Sequence, residues 1–224
     1  MTDPRPGFEV ITFPSARELA RRMPRLVVGI ALLGTGIAMM VRARLGLAPW
    51  DVLHEGLAER TGLSIGVVII VLGLAILLLW IPLRQRFGIG TVINTLTVGL
   101  VADTALGAIG RQDELVIRWA LLVGGLLVGA FGMALYISAG LGPGPRDGLM
   151  TGIAAKGFPI WIVRTVLELI ALVIGYALGG NIGVGTVIFA FAIGPLGHWF
   201  IERLHLGPTG TELGTDLGPG VSAD

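Results

Sequence analysis

Apolar residues run along this chain in long blocks separated by short polar breaks. Six blocks, at 26–41, 63–83, 87–102, 119–137, 160–178 and 185–201, approach the roughly 20 residues that a helix needs to cross a bilayer core of about 30 Å. The first is slightly short and extends into its neighbours. The third is followed by Asp103 and a further apolar stretch to Gly110. The 63–83 and 119–137 blocks carry no charge at all. The pattern predicts an all-α, polytopic helical membrane protein with about six transmembrane helices.

Two breaks have structure of their own. Residues 50–61 and 146–156 are too short and too polar to cross alone. Each follows a Gly/Pro turn, Gly46-Leu47-Ala48-Pro49 in one case and Gly142-Pro143-Gly144-Pro145 in the other, which ends one helix and starts the next. They read either as interrupted or re-entrant half-helices or as helices lying on the membrane surface. Backbone broken at membrane depth must be buried in protein or line water.

These breaks belong to a duplication. Gly36-Ile37-Ala38-Met39 leads to Pro49-Trp50-Asp51, and Gly132-Met133-Ala134-Leu135 leads to Pro145-Arg146-Asp147. Gly88-Ile89-Gly90-Thr91 recurs as Gly183-Val184-Gly185-Thr186. The chain therefore divides into a first membrane repeat at 25–110 and a second at 111–204. An odd number of spans per copy turns the two copies in opposite directions, a 3+3 inverted repeat. Ahead of them, 1–24 reads as an N-terminal cytoplasmic segment. In it Ser15 and Glu18 form a capping box for a short amphipathic helix reaching Arg22. Residues 205–224 lack apolar periodicity and read as a disordered tail.

Composition sharpens the class. Charged residues are 14% of the chain, against about 25% in a typical soluble domain, too few to cover a water-facing surface. A net charge of +1 offers no basic face for nucleic acid. The chain has no cysteine, which removes disulfides, thiolate metal sites and cysteine nucleophiles. His54, His198 and His205 are too far apart to make a metal-ligand spacing, and no cofactor is expected. No nucleophile–base motif is present, so an enzyme is not expected. The distribution of Lys and Arg predicts that both termini lie on the inside, in the cytoplasm. Arg17, Arg21, Arg22, Arg25, Arg84, Arg86, Arg146, Lys156 and Arg203 then lie inside, and Arg42, Arg44, Arg60 and Arg111 outside.

The candidate chemistry is sparse. Asp51 and Asp147 stand at matching positions just after the Gly/Pro breaks, where a carboxylate suits the positive end of a new helix. They serve as simple dipole partners or as charges at a gate or binding site. Trp50 and Arg146 also match, an indole in one copy and a guanidinium in the other. Trp50 could equally be an interface anchor. Arg164 and Glu168 sit four apart on one helix face and can pair, either locking helices together or holding an anionic group and a proton. His54 can share a face with Asp51 and titrates near neutral pH, or plays no role. Asn94 lines a polar path or bonds across helices. Asp103 and His198 align at the ends of the third spans. The Gly-x-Gly-Thr segments resemble phosphate loops only weakly and read as glycine turns capped by threonine. Gly125/Gly129 and Gly175/Gly179 give small-residue faces for close helix packing, within one chain or between two.

The Gly46-Leu47-Ala48-Pro49-Trp50-Asp51-Val52-Leu53-His54 segment, with Gly88-Ile89-Gly90-Thr91 and Gly144-Pro145-Arg146-Asp147-Gly148-Leu149-Met150, resembles the YczE-type bacterial integral membrane proteins, relatives of the YitT group. The resemblance spans roughly residues 25–203 and implies a multi-span protein of the bacterial inner membrane without naming an activity. Ala48 stands where that pattern often has Gly. The expected function is a small-solute transporter or a transport-related binding subunit, its partners the lipid bilayer and a small solute. The alternative is a non-transporting scaffold that uses its glycine faces to form a homodimer or to bind a partner membrane subunit.

Overall fold

A computed structural model describes residues 15–204. The expectations for 1–14 and for the tail at 205–224, His205 included, lie outside the described residues. Eight helices follow in order: α1 (Ala16–Ala43), α2 (Pro49–Thr61), α3 (Ile65–Leu83), α4 (Ile89–Ala108), α5 (Leu115–Ser138), α6 (Pro145–Ala154), α7 (Ile160–Ala177) and α8 (Val184–Arg203). Six of them, all but α2 and α6, are long and apolar enough to cross a membrane. Their outer faces carry exposed Leu78, Ile81, Val173 and Phe191, a surface that only lipid solvates without cost. The chain is a multi-pass integral membrane protein.

One element differs from the sequence reading. The amphipathic helix and the first span are a single helix, α1, which runs through Pro24. The capping box at its start forms as expected, with Glu18 N–H donating to Ser15 Oγ at 3.3 Å and Ser15 N–H to Glu18 Oε2 at 3.4 Å. No break follows because Leu19 and Met23 already pack on the cluster that holds Leu26 and Ile30. That burial carries the helix past the one hydrogen bond the proline removes.

The two halves share the same order of elements, long, short, long, long. α1 and α5 form the central antiparallel pair, with Gly29 against Gly132 and Gly36 against Gly125 and Gly129. Added Cβ atoms at Gly29, Gly36 or Gly132 would lie within 3 Å of the facing backbone, so these small residues set the helix separation. α4 packs on α1 as α8 packs on α5. The short helices cross over: α2 packs on α7 of the other half, and α6 on α3.

The crossing points match in detail. Gly90 N–H donates to Leu141 O at 2.8 Å, and Gly185 N–H donates to Leu45 O at 2.7 Å. Each glycine turn of one half therefore bonds the loop before the short helix of the other half. Thr91 Oγ1 accepts from Gly88 N–H and Thr186 Oγ1 from Gly183 N–H, both at 3.3 Å, the threonine caps read from the sequence. Gly46 and Gly142 turn the two loops at φ of +109° and +127°, backbone that side chains rarely adopt.

The short helices leave the bundle middle toward opposite ends. α2 runs along the last turns of α7, with Gly56 beside Gly175 and Arg60 Nε–H donating to Leu178 O at 3.3 Å. α6 runs along the last turns of α3, where Gly148 lies flat on the Trp80 ring and Gly152 beside Gln85. Trp80 is wholly buried, and its Nε1–H donates to Pro145 O at 3.1 Å, which fixes the start of α6.

Candidate functional site

Pro49 and Pro145 occupy the first turns of α2 and α6, where a missing N–H costs nothing, and neither start has a side-chain cap. The two starts face each other inside the bundle. Between them lies a cavity of about 120 Å³, lined by Trp50 and Asp51 of α2, Arg146 and Asp147 of α6, Asn94 of α4, and Arg164 and Glu168 of α7. Seven of the eight residues singled out from sequence thus surround one space. Tyr136 of α5 completes the polar lining, and Met40, Leu126, Met133, Met150, Phe189 and Ile193 supply apolar wall.

The eighth, His54, sits one turn further along α2 and behind the cavity. It shares with Asn94 and Arg146 a separate space of about 30 Å³, enough to hold a water. It is almost wholly buried, and its Nδ1 lies 3.1 Å from Asp51 Oδ1. Burial pushes the imidazole below its ordinary value of 6.5, against the pull of the Asp51 carboxylate. The histidine is thus walled off from solvent and held by Asp51.

Each carboxylate in the cavity has a partner. Asp51 pairs with His54 as above. Asp147 Oδ2 accepts from the Tyr136 hydroxyl at 2.6 Å. Glu168 Oε1 accepts from Arg164 Nε–H at 3.0 Å, the expected pair. Arg164 is half exposed at the cavity's rim, so this pair is not a buried lock between helices. The donors are placed differently. The Arg146 guanidinium lies over the Trp50 ring, 5.7 Å from its centroid. Trp50 Nε1 and Asn94 Nδ2 are buried without a hydrogen-bond partner among the described residues. Trp50 is 8% exposed, which removes the interface-anchor reading.

A second, wider depression of about 700 Å³ opens at the end of the bundle where α2 finishes. Arg42, Arg44, Arg111 and Arg118 line it with Glu55 and Glu59. Arg118 donates to the carbonyls of Ala43 and Arg44 at 2.8 and 2.7 Å, neutralising the negative end of α1. Glu55 accepts from Asn181 N–H at 2.6 Å, and burial pushes its carboxyl up.

The remaining candidates are structural. Asp103 accepts from Gly66 N–H at 2.8 Å and from the Ser64 hydroxyl, capping α3. His198 pairs with Glu202 on an exposed face. Gly125 is used within the chain, against Gly36, and Gly175 against Leu53. Sequence reasoning missed Tyr136 and Arg118. A hydroxyl inside the apolar 119–137 block and a charge at its edge were the available signals, but each acts across the fold on a partner that no local spacing identifies.

A family described only as a family of unknown function, DUF6198, matches residues 20–202. An uncharacterized protein of Haemophilus influenzae is 37% identical over 178 residues, covering 79% of this chain and 82% of its own. The uncharacterized membrane protein YczE of Bacillus subtilis is 34% identical over 185 residues, covering 80% and 84%. YyaS of the same organism, also uncharacterized, is 26% identical over 179 residues. No solved structure matches the chain. The chain is a multi-pass membrane protein that belongs to the DUF6198 family and is similar to YczE.

Proposed function

We propose that this protein is a small-solute transporter of the bacterial cell membrane. It is built as an inverted 3+3 repeat whose re-entrant half-helices, α2 and α6, meet at the solute site. The observation that carries this reading is the cavity between the two helix starts, lined by nine polar or aromatic residues drawn from both halves. Discontinuous helices with their positive ends at a midplane site are a recurring transporter design. The crossed packing, α2 on α7 and α6 on α3, makes each half hold the other's short helix. A rocking motion of one half against the other would open the site to either side. Cytoplasmic termini follow from the arginine distribution. No ATP-binding motif is present, so the energy comes from an ion gradient or a partner subunit. The scaffold alternative draws no support from Gly125 and Gly175, which are spent inside the chain.

Counterflow in proteoliposomes tests the reading. Vesicles loaded with an unlabelled small solute should accumulate the labelled one transiently, and Arg146→Gln and Asp147→Asn should abolish this at normal abundance. Flux without counterflow would indicate a passive channel. No flux for any solute in a broad panel would leave the scaffold.

A further inference from the structure

We propose that the cavity takes a small carboxylate-bearing solute, its acidic group held by the Trp50 indole N–H, the Asn94 amide N–H groups and the Arg146 guanidinium. This deepens the transport reading and rests on the cavity being a solute site. Trp50 Nε1 and Asn94 Nδ2 are unpartnered, their residues are only 8% and 7% exposed, and both line the cavity. A buried donor without an acceptor is destabilising, and an acceptor on a ligand removes that cost. The third donor, Arg146, stacks on the indole rather than on a carboxylate, which leaves its fork of N–H groups for a planar anion.

The acceptors in the same cavity are already engaged: Asp51 with His54, Asp147 with Tyr136, Glu168 with Arg164. An ammonium ligand would leave the two free donors unsatisfied and compete for carboxylates that have partners. Two helix starts point their positive ends at the same space. The depression at the α2 end carries four arginines against two glutamates, a field that concentrates anions at that end of the bundle. Size sets the scale. At about 120 Å³ the cavity is somewhat smaller than the ~150 Å³ cavity that admits benzene, so it suits a solute with a carboxylate and a short apolar tail against the methionines.

An isosteric series tests the charge. The full-length protein in nanodiscs is titrated with propanoate, propan-1-ammonium and propanamide, following the unfolding temperature. Propanoate should raise it saturably and the other two should not. Trp50→Phe, which keeps the ring under Arg146, and Asn94→Leu should each weaken propanoate about tenfold. The proposal is overturned if propanoate does not bind the folded protein. It is also overturned if propan-1-ammonium binds more tightly, or if Trp50→Phe and Asn94→Leu both bind propanoate like the wild type. Propanoate binding without counterflow of any solute would sink the transport reading and leave this assignment standing. Counterflow of amines without propanoate binding would do the reverse.

Discussion

The Arg146 guanidinium stands over the Trp50 indole, 5.7 Å from its centroid, although the two residues lie at matching positions in opposite halves of the chain. One half supplies a cation at this position and the other an aromatic face, and the fold brings the two together. The cavity is therefore asymmetric at its centre. The contact is worth about 0.5–2 kcal/mol in a desolvated setting. Trp50→Ala should lower the unfolding temperature and weaken anion binding together. Trp50→Phe should spare stability and lose binding only through the missing N–H. Heat unfolding and titration of the two variants separate these effects.

The matched crossings at Gly88 and Gly183 should be equally intolerant of bulk. A Cβ at Gly88 would lie 2.2 Å from Leu141 O, and one at Gly183 would lie 2.4 Å from Leu45 O. Alanine at either position should cost about 1–3 kcal/mol, as overpacking against fixed backbone does. Gly194→Ala is the control, since a Cβ there meets nothing within 4 Å. It should be neutral or stabilising by up to about 1 kcal/mol. Unfolding temperatures of the three variants settle the comparison, and a tolerated Gly88→Ala would contradict the crossing geometry.

Arg164 and Glu168 should matter for movement of solute more than for folding. Their pair is 48% and 26% exposed at the side chains. After discounting for that exposure it is worth no more than about 0–1 kcal/mol of stability. Arg164→Ala and Glu168→Gln should leave abundance close to the wild type and reduce counterflow. Loss of protein from the membrane in both variants would instead make the pair a structural clamp.

His54 should make the stability of the protein fall in acid. It lies on α2, outside the six spans, and faces Asp51 on its own helix and Arg146 of α6. Burial lowers its folded value, so the unfolded chain binds the proton more readily. Its contribution to stability is present above the unfolded value near 6.5 and is lost as pH falls below it. The unfolding temperature of the wild type should fall across that window. His54→Gln should flatten the fall. Identical profiles for the two proteins would show that another group controls it.

Much of this was legible in the sequence because the signals are local. Hydropathy over 20 residues is a property of one helix, so all six spans could be placed. The Ser15/Glu18 box, the Asp51/His54 spacing of three and the Arg164/Glu168 spacing of four each depend on one turn of one helix. The Gly/Pro turns before α2 and α6 marked where helices had to restart. What stayed hidden were contacts between distant segments: Trp80 under Gly148, Tyr136 on Asp147, Arg118 on the end of α1. The junction at Pro24 was misread for the same reason. The sequence reading ended the amphipathic helix at Arg22, and the packing of Leu19 and Met23 on a distant cluster carries it on into the span.

The most direct measurement uses the absence of native cysteine. Met150 lines the cavity on α6 and is 8% exposed, so Met150→Cys places one thiol in the wall of the solute site. Labelling with a membrane-impermeant thiol reagent is followed in intact cells and in inverted vesicles, with and without propanoate. The account predicts labelling from both sides, slowed by propanoate in each case. Labelling from one side only, or from neither, would contradict a site that alternates between the two faces of the membrane.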